Sequence, residues 1–249
     1  MLQPWRTGKI IRLKDETDST RRFWIEVPEV TQFDFKPGQF VTLDLPIHEK
    51  PNKRWRSYSI ASWPDGSNVF ELVIVRLEDG AGTTYLFNEV LEGDTITFRG
   101  AQGVFTLPEN LDKDIFLICT GTGIAPFRSM VHYIKLHQVP HKEIYLVFGS
   151  RTKADILYYD ELTDLQKNLP GFHYIPTLSR EEWEGKKGYV HAVFEEIINS
   201  KMQTKADGTT VPTNAGFYLC GWKNMIDEAK HRIMALGYDK KSIHQEIYG

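Results

Sequence analysis

Five stretches of this sequence carry groups that can grip phosphate, stack on a flat ring or crowd a reactive carbon. In Thr120-Gly121-Thr122-Gly123-Ile124-Ala125-Pro126 the small residues let backbone N–H groups approach a pyrophosphate, and a helix beginning there would aim its positive end at the anion. Pro126 suits the first turn of such a helix, where a missing N–H costs nothing. It also stands where the common Gly-x-Gly-x-x-Gly fingerprint has its last glycine, and a tight strand–helix turn without a ligand would read the same way.

Arg54-Trp55-Arg56-Ser57-Tyr58-Ser59 reads as a strand, with Arg56, Tyr58 and Ile60 on one face and Ser57 and Ser59 on the other. Arg56 can pair with a phosphate and Tyr58 can stack on a planar ring, although an ordinary amphipathic strand has the same pattern. Gly80-Ala81-Gly82-Thr83-Thr84 offers either a second phosphate-binding helix start or a plain N-cap. Leu219-Cys220-Gly221 puts a small, reactive side chain at the C-terminal end of a strand, where open α/β sheets bind ligands; a buried structural cysteine is the alternative. Ser179-Arg180, followed by Lys186, Lys187 and Tyr189, could hold a further phosphate. Because Glu181, Glu182 and Glu184 intervene, a solvated mixed-charge face fits the same residues.

Other chemistries drop out. There is no Gly-x-Ser-x-Gly elbow, no His-Glu-x-x-His, and no Lys-Ser/Thr after the glycine loop, which counts against an ATP or GTP module. His137 and His141 are separated by Pro140, which spoils a helical metal pair, and no metal site is expected. The two cysteines, Cys119 and Cys220, form no Cys-x-x-Cys and are too few for a four-cysteine iron–sulfur cluster; two reduced thiols in a cytoplasmic protein is the plainer reading.

The elements that must position these groups change rhythm near Leu111. Before it, short runs separated by turn residues predict six strands, Lys9 to Leu13, Arg22 to Val27, Gln39 to Leu45, Arg56 to Ala61, Phe70 to Leu77 and Thr95 to Arg99, with one short helix over Thr84 to Val90. That is the pattern of an antiparallel barrel or sandwich. After it, strands at Ile115 to Cys119, Glu143 to Phe148, Phe172 to Leu178, Gly216 to Leu219 and Ser242 to Tyr248 alternate with helices at Pro126 to Leu136, Ala154 to Leu165, Val190 to Ile198 and Asn224 to Leu236. This predicts a doubly wound parallel sheet. Lys201 to Asn214 reads as a long exposed loop. The expected division, at the hinge Leu107-Pro108-Glu109-Asn110, is a domain over 1–108 and a second over 109–249.

Composition agrees with an ordinary globular protein. The 249 residues are 41% hydrophobic and 25% charged, and a net charge of −3 gives no global pull toward nucleic acid. Neither an N-terminal signal core nor an apolar run of about 18 residues occurs, so no membrane span is expected.

Taken together and in this order, the motifs resemble the ferredoxin–NADP⁺ reductase superfamily over nearly the whole chain. The resemblance implies an N-terminal barrel that binds FAD or FMN, FAD being favoured because the Gly82-Thr83-Thr84 cradle suits a dinucleotide, and a C-terminal domain that binds NADP(H) or NAD(H). It implies that Arg56 pairs with the flavin pyrophosphate, Tyr58 stacks on the isoalloxazine, Ser59 bonds near N5 with Ser57 beside it, Val75 contacts the ring through its backbone, and Gly82, Thr83 and Thr84 complete the cradle. On the same basis Thr120 to Pro126 takes the pyridine nucleotide, and Cys220 and Gly221 flank the nicotinamide. Ser179 and Arg180 match a 2′-phosphate site, which Tyr189 with Lys186 or Lys187 would complete. Glu246-Ile247-Tyr248 looks like the Glu-x-Tyr ending of plant-type members, where the tyrosine covers the flavin and the glutamate relays protons, although Gly249 extends beyond it. The implied reaction passes hydride between NAD(P)H and flavin and single electrons to a separate carrier, ferredoxin or flavodoxin. An NADH-dependent oxygenase reductase component and a non-catalytic subunit retaining the fold are the alternatives.

Overall fold

The computed structural model describes residues 3–204 and 210–248; Gly249 and part of the Lys201 to Asn214 stretch lie outside the described residues. The alternating runs of the first half form β1 (Trp5–Thr17), β2 (Thr20–Glu26), β3 (Phe40–Asp44), β4 (Trp55–Ser59), β5 (Val69–Val75) and β6 (Thr95–Gln102). Every pairing among them is antiparallel, in the order β4-β3-β6-β1-β2-β5. A bridge between Ile60 and Leu72 joins the two edges and closes the barrel. Phe23, Phe70 and Phe98 fill it, with Phe33 5.1 Å from the Phe70 ring and Phe70 5.1 Å from Phe98. Each such buried ring stabilises the barrel by about 1.5–3 kcal/mol.

Helix α1 (Ala81–Asn88) starts and ends earlier than the predicted Thr84 to Val90. The Thr83 hydroxyl accepts from the Leu77 N–H at 3.1 Å and donates to the Gly80 carbonyl at 3.0 Å. Those bonds fold the loop back on itself, so the helix can begin directly after Gly80.

The second half contains β7 (Asp114–Thr120), α2 (Ile124–His137), β8 (Ile144–Ser150), α3 (Tyr159–Asn168), β9 (Phe172–Leu178), β10 (Lys186–Lys187), α4 (Val190–Ser200), β11 (Gln203–Thr204), β12 (Thr210–Val211), β13 (Ala215–Trp222), α5 (Lys223–Ala235) and β14 (Ile243–Tyr248). The main sheet is wholly parallel in the order β10-β9-β8-β7-β13-β14. Its continuous apolar strands bury both faces, as parallel sheets require. Phe116, Ile118, Val147, Phe217 and Leu219 pack on one face against Val190, Phe194, Ile226 and Ile233 of α4 and α5. On α3, Tyr159 lies 6.3 Å from Tyr174 of β9.

Two expectations are corrected. The predicted helix over Ala154 to Leu165 is a 3₁₀ turn, Lys153–Asp155, and then α3. A Thr152–Asp155 capping box closes the first turn, Ile156 is extended, and Tyr158 takes a left-handed φ of 57° that no continuous helix allows. The predicted loop over Lys201 to Asn214 instead carries the short hairpin β11–β12, in which Gln203 pairs with Val211 and Thr204 with Thr210.

The chain forms two compact units. One holds the residues up to Leu107 together with Ala125–His137, so nearly all of α2 packs within the barrel unit. The other holds Pro108–Ile124 and the residues from Gln138 onward. Among the described residues no helix is long and apolar enough to cross a membrane.

Candidate active site

The barrel unit carries one half of the candidate residues. On β4, Arg56 pairs with Leu43 and Tyr58 with Val41, both core residues, so Arg56 and Tyr58 share the inward side that alternation predicts. Arg56 donates through Nη1 to the carbonyls of Lys53 and Trp55, at 3.1 and 2.8 Å. Its stem lies against α1, where a Cβ on Gly82 would sit 3.0 Å from Arg56 Cγ and 3.2 Å from Nε. Arg56 and the start of α1 are thereby brought together, and any side chain at position 82 would press on the Arg56 stem. The α1 terminus has no side-chain cap and no acidic residue in its first turn, and Thr84 is half-buried there. Burial pushes the Tyr58 phenol up to about 12 despite the Arg56 charge, so it is a neutral ring at neutral pH.

Other predicted residues sit differently. The Ser57 hydroxyl, on the opposite side of β4, lies 3.0 Å from Thr42 Oγ1. Ser59 is buried at the end of the strand. Val75 ends β5, paired with Thr20. The Thr83 hydroxyl is spent within its own loop.

The other unit gathers its candidates at the C-terminal ends of β7, β13 and β14. Cys220 stands in register with Cys119 on one side and Glu246 on the other, and Trp222 with Tyr248. Burial pushes the Cys220 thiol well above its usual range, the Glu246 charge raises it further, and a hydrogen bond with Tyr248 acts in the opposite direction. Cys220 is therefore a neutral thiol touching Tyr248 beside a carboxylate. The turn Gly121–Gly123 closes on this cluster. A Cβ on Gly123 would be 2.3 Å from the Cys220 carbonyl oxygen, and one on Gly221 would be 2.7 Å from Thr120 Oγ1. Gly121 has a φ of +54° and open space where a Cβ would point. Thr122 is half-buried and Pro126 buried in the first turn of α2.

At the ends of β8 and β9 a cationic pair appears. The Ser179 and Arg180 N–H groups donate to the carbonyls of Ser150 and Arg151, both at 3.0 Å, so two Ser-Arg dipeptides lie side by side with both arginines exposed. Lys187 is paired with Glu182 and Lys186 with Glu196 at 2.7 Å, while Tyr189 is 72% exposed at the start of α4. The structure thus sets Arg151, rather than a lysine, beside Arg180.

Residues 7–107 match the oxidoreductase FAD-binding domain family and residues 117–231 the oxidoreductase NAD-binding domain family. The ferredoxin–NADP reductase B of Sorangium cellulosum is 32% identical over 244 residues, 97% of this chain and 96% of that protein. The chain belongs to the ferredoxin–NADP reductase superfamily.

Within the superfamily, a ferredoxin NADP⁺ reductase from Neisseria gonorrhoeae, solved with bound FAD and NADP, superposes with a TM-score of 0.80 at 25% identity, covering 98% of each chain. The anthranilate 1,2-dioxygenase electron transfer component of Acinetobacter baylyi is 31% identical over 203 residues, 81% of this chain and 54% of that longer protein. The superfamily's FAD and nicotinamide cofactors fit the residues present. The close approach at Gly82, the uncapped α1 terminus and Arg56 make a cradle for a pyrophosphate. Thr120 Oγ1, buried without a hydrogen-bond partner among the described residues, marks an unsatisfied polar group beside the nucleotide turn. Arg151 is a candidate that the motifs did not single out, although Ser150-Arg151 repeats Ser179-Arg180.

Proposed function

We propose that this reductase oxidises NADPH and delivers the electrons one at a time to a ferredoxin or flavodoxin. A flavin-binding domain over 1–108 and a nucleotide-binding domain over 109–249 divide the work. The observation that carries the reading is the convergence of Gly123, Cys220, Glu246 and Tyr248 at one end of the parallel sheet.

Bound FAD would supply what the side chains lack, acceptance of a hydride and release of single electrons. Arg56, Gly82 and Thr84 would hold the FAD pyrophosphate, with the Arg56 charge neutralising it. Tyr58 offers an uncharged ring to the isoalloxazine, Val75 its backbone, and Ser59 a hydroxyl for the N5 proton. Thr120 to Gly123 hold the nucleotide pyrophosphate through backbone N–H groups. Cys220, neutral and buried, and Gly221 bound the nicotinamide pocket and exclude water. Glu246 would receive and return a proton beside Cys220, and Tyr248 would stand at the same end of the parallel sheet, against the nicotinamide position. Arg180, Arg151 and Ser179 take the 2′-phosphate, with Tyr189 beside the adenine end. The two unbridged thiols fit a reducing compartment such as the cytoplasm.

A second reading, an NADH-using reductase component of an oxygenase, is favoured by the likeness to the anthranilate dioxygenase component. Anaerobic mixing of the NADPH-reduced protein with a purified [2Fe–2S] ferredoxin and, separately, a flavodoxin tests the proposal. Multiple-turnover reduction of either carrier is expected. A protein that reduces only oxygen or free flavin would contradict it.

A further inference from the structure

Arg128 on α2 is 4% exposed, and the roles above make no use of it. Its Nη1 donates to the Ala61 carbonyl at 2.9 Å and to Glu71 Oε2 at 3.1 Å. Glu71, 2% exposed on β5, is also held by Arg22 of β2 through Nε at 2.6 Å and Nη2 at 2.9 Å. The Arg128 guanidinium lies 5.1 Å from the Trp63 ring, on which His132, one helical turn further along α2, stacks at 3.9 Å and 11°. Around this network α2 packs through apolar groups: Phe127 lies 5.9 Å from Phe105, and Met130 fills the space that only a glycine leaves at Gly38.

A buried ion pair is a poor source of stability, because apolar residues of similar volume hold a helix as well or better. It supplies direction instead. Phe127 and Met130 can slide, whereas two hydrogen bonds from Nη1 of one planar guanidinium, one to a backbone carbonyl and one to a carboxylate, fix the rotation of α2 and its position along its axis. The two anchored segments are those that carry the cofactor motifs. Ala61 follows Ser59 of the flavin strand by two residues, and α2 continues without a break from the Gly121–Gly123 turn.

We propose that Arg128 is a positioning residue, fixing the rotation and the axial position of the helix on which the nucleotide turn opens. This deepens the proposed function and rests on it. Misplacing a reacting group by 1 Å can cost about 100-fold in rate, so a loosened α2 should slow hydride transfer without weakening binding.

Arg128→Met keeps the side-chain bulk and leaves Glu71 paired with Arg22, so no buried carboxylate is orphaned. Arg128→Lys keeps the charge but not the planar guanidinium. Three readouts apply to both: amide exchange of residues 125–137 without nucleotide, the NADP⁺ dissociation constant, and the rate of flavin bleaching by saturating NADPH in anaerobic stopped flow. In Arg128→Met, exchange is expected to quicken about tenfold and bleaching to slow by about 10- to 100-fold, with NADP⁺ affinity within about threefold and FAD content unchanged. Arg128→Lys is expected to fall between, and it carries the test if the Met variant is insoluble. A wild-type bleaching rate in both variants, or slow bleaching that merely tracks lost flavin, would overturn the positioning role. Failure of the wild-type protein to bleach with either nucleotide would instead overturn the function on which it rests.

Discussion

Gly123 approaches the Cys220 carbonyl so closely that a Cβ would lie 2.3 Å from its oxygen. The nucleotide turn is thus seated on the end of β13, and the residue that closes the turn cannot carry a side chain. Gly123→Ala is expected to push turn and strand apart at a cost of about 1–3 kcal/mol. A lowered melting temperature together with lost NADP⁺ binding checks this, and a variant that binds NADP⁺ normally would contradict it.

In the barrel, Arg56→Ala removes the cation set against the start of α1 in the proposed cradle. A charge-assisted bond of about 1.5–3 kcal/mol translates into about 10- to 100-fold weaker FAD binding. Equilibrium dialysis of the flavin measures this directly. Retention of FAD at the wild-type affinity would remove Arg56 from the cradle.

On the proposed function, the two Ser-Arg dipeptides set nucleotide preference. Arg151→Ala and Arg180→Ala should each raise the KM for NADPH by about 10-fold or more while leaving that for NADH nearly unchanged. Parallel losses with both nucleotides would place these arginines outside a 2′-phosphate site.

Glu246 faces Cys220 across the β13–β14 pairing, and its charge reaches the thiol. Glu246→Gln keeps the shape and removes the proposed proton acceptor. Turnover with a protein acceptor is expected to fall by about 10²- to 10⁴-fold, with NADP⁺ affinity little changed. Unchanged turnover would end the proton role.

On β14, His244 stacks on Tyr218 at 4.6 Å, and burial, helped by the Lys113 charge, holds its pKa below the usual 6.5. The unfolded imidazole therefore binds a proton more readily than the folded one. Its contribution to stability is present above about pH 6.5 and is lost as the pH falls through the lower folded value. Melting temperatures recorded from about pH 7.5 down to 5 should fall less steeply for His244→Gln than for the wild type. Identical slopes would contradict this.

Much of this architecture is legible in the sequence because its signals are local. Alternation marked the six barrel strands, and apolar runs marked the parallel ones. The face carrying Arg56 and Tyr58 followed from period two alone. The break at Tyr158 was hidden because the Thr152–Asp155 capping box and a left-handed backbone interrupt a pattern whose apolar spacing continues as a helix. The commitment of Lys187 to Glu182 and the setting of Arg151 beside Arg180 were hidden for another reason. Side-chain partners are chosen by rotamer and register, and the β8–β9 pairing joins residues nearly thirty positions apart. The Gly123–Cys220 contact is likewise a product of β7 pairing with β13 and has no local signature.

Anaerobic titration of the purified protein with NADPH, with NADH in parallel and the visible spectrum recorded, tests most directly whether it moves hydride from NADPH to a bound flavin. A flavin spectrum bleached by NADPH at much lower concentration than by NADH is the predicted result. No flavin spectrum even after FAD is added, or a bound flavin that neither nucleotide bleaches, would contradict it.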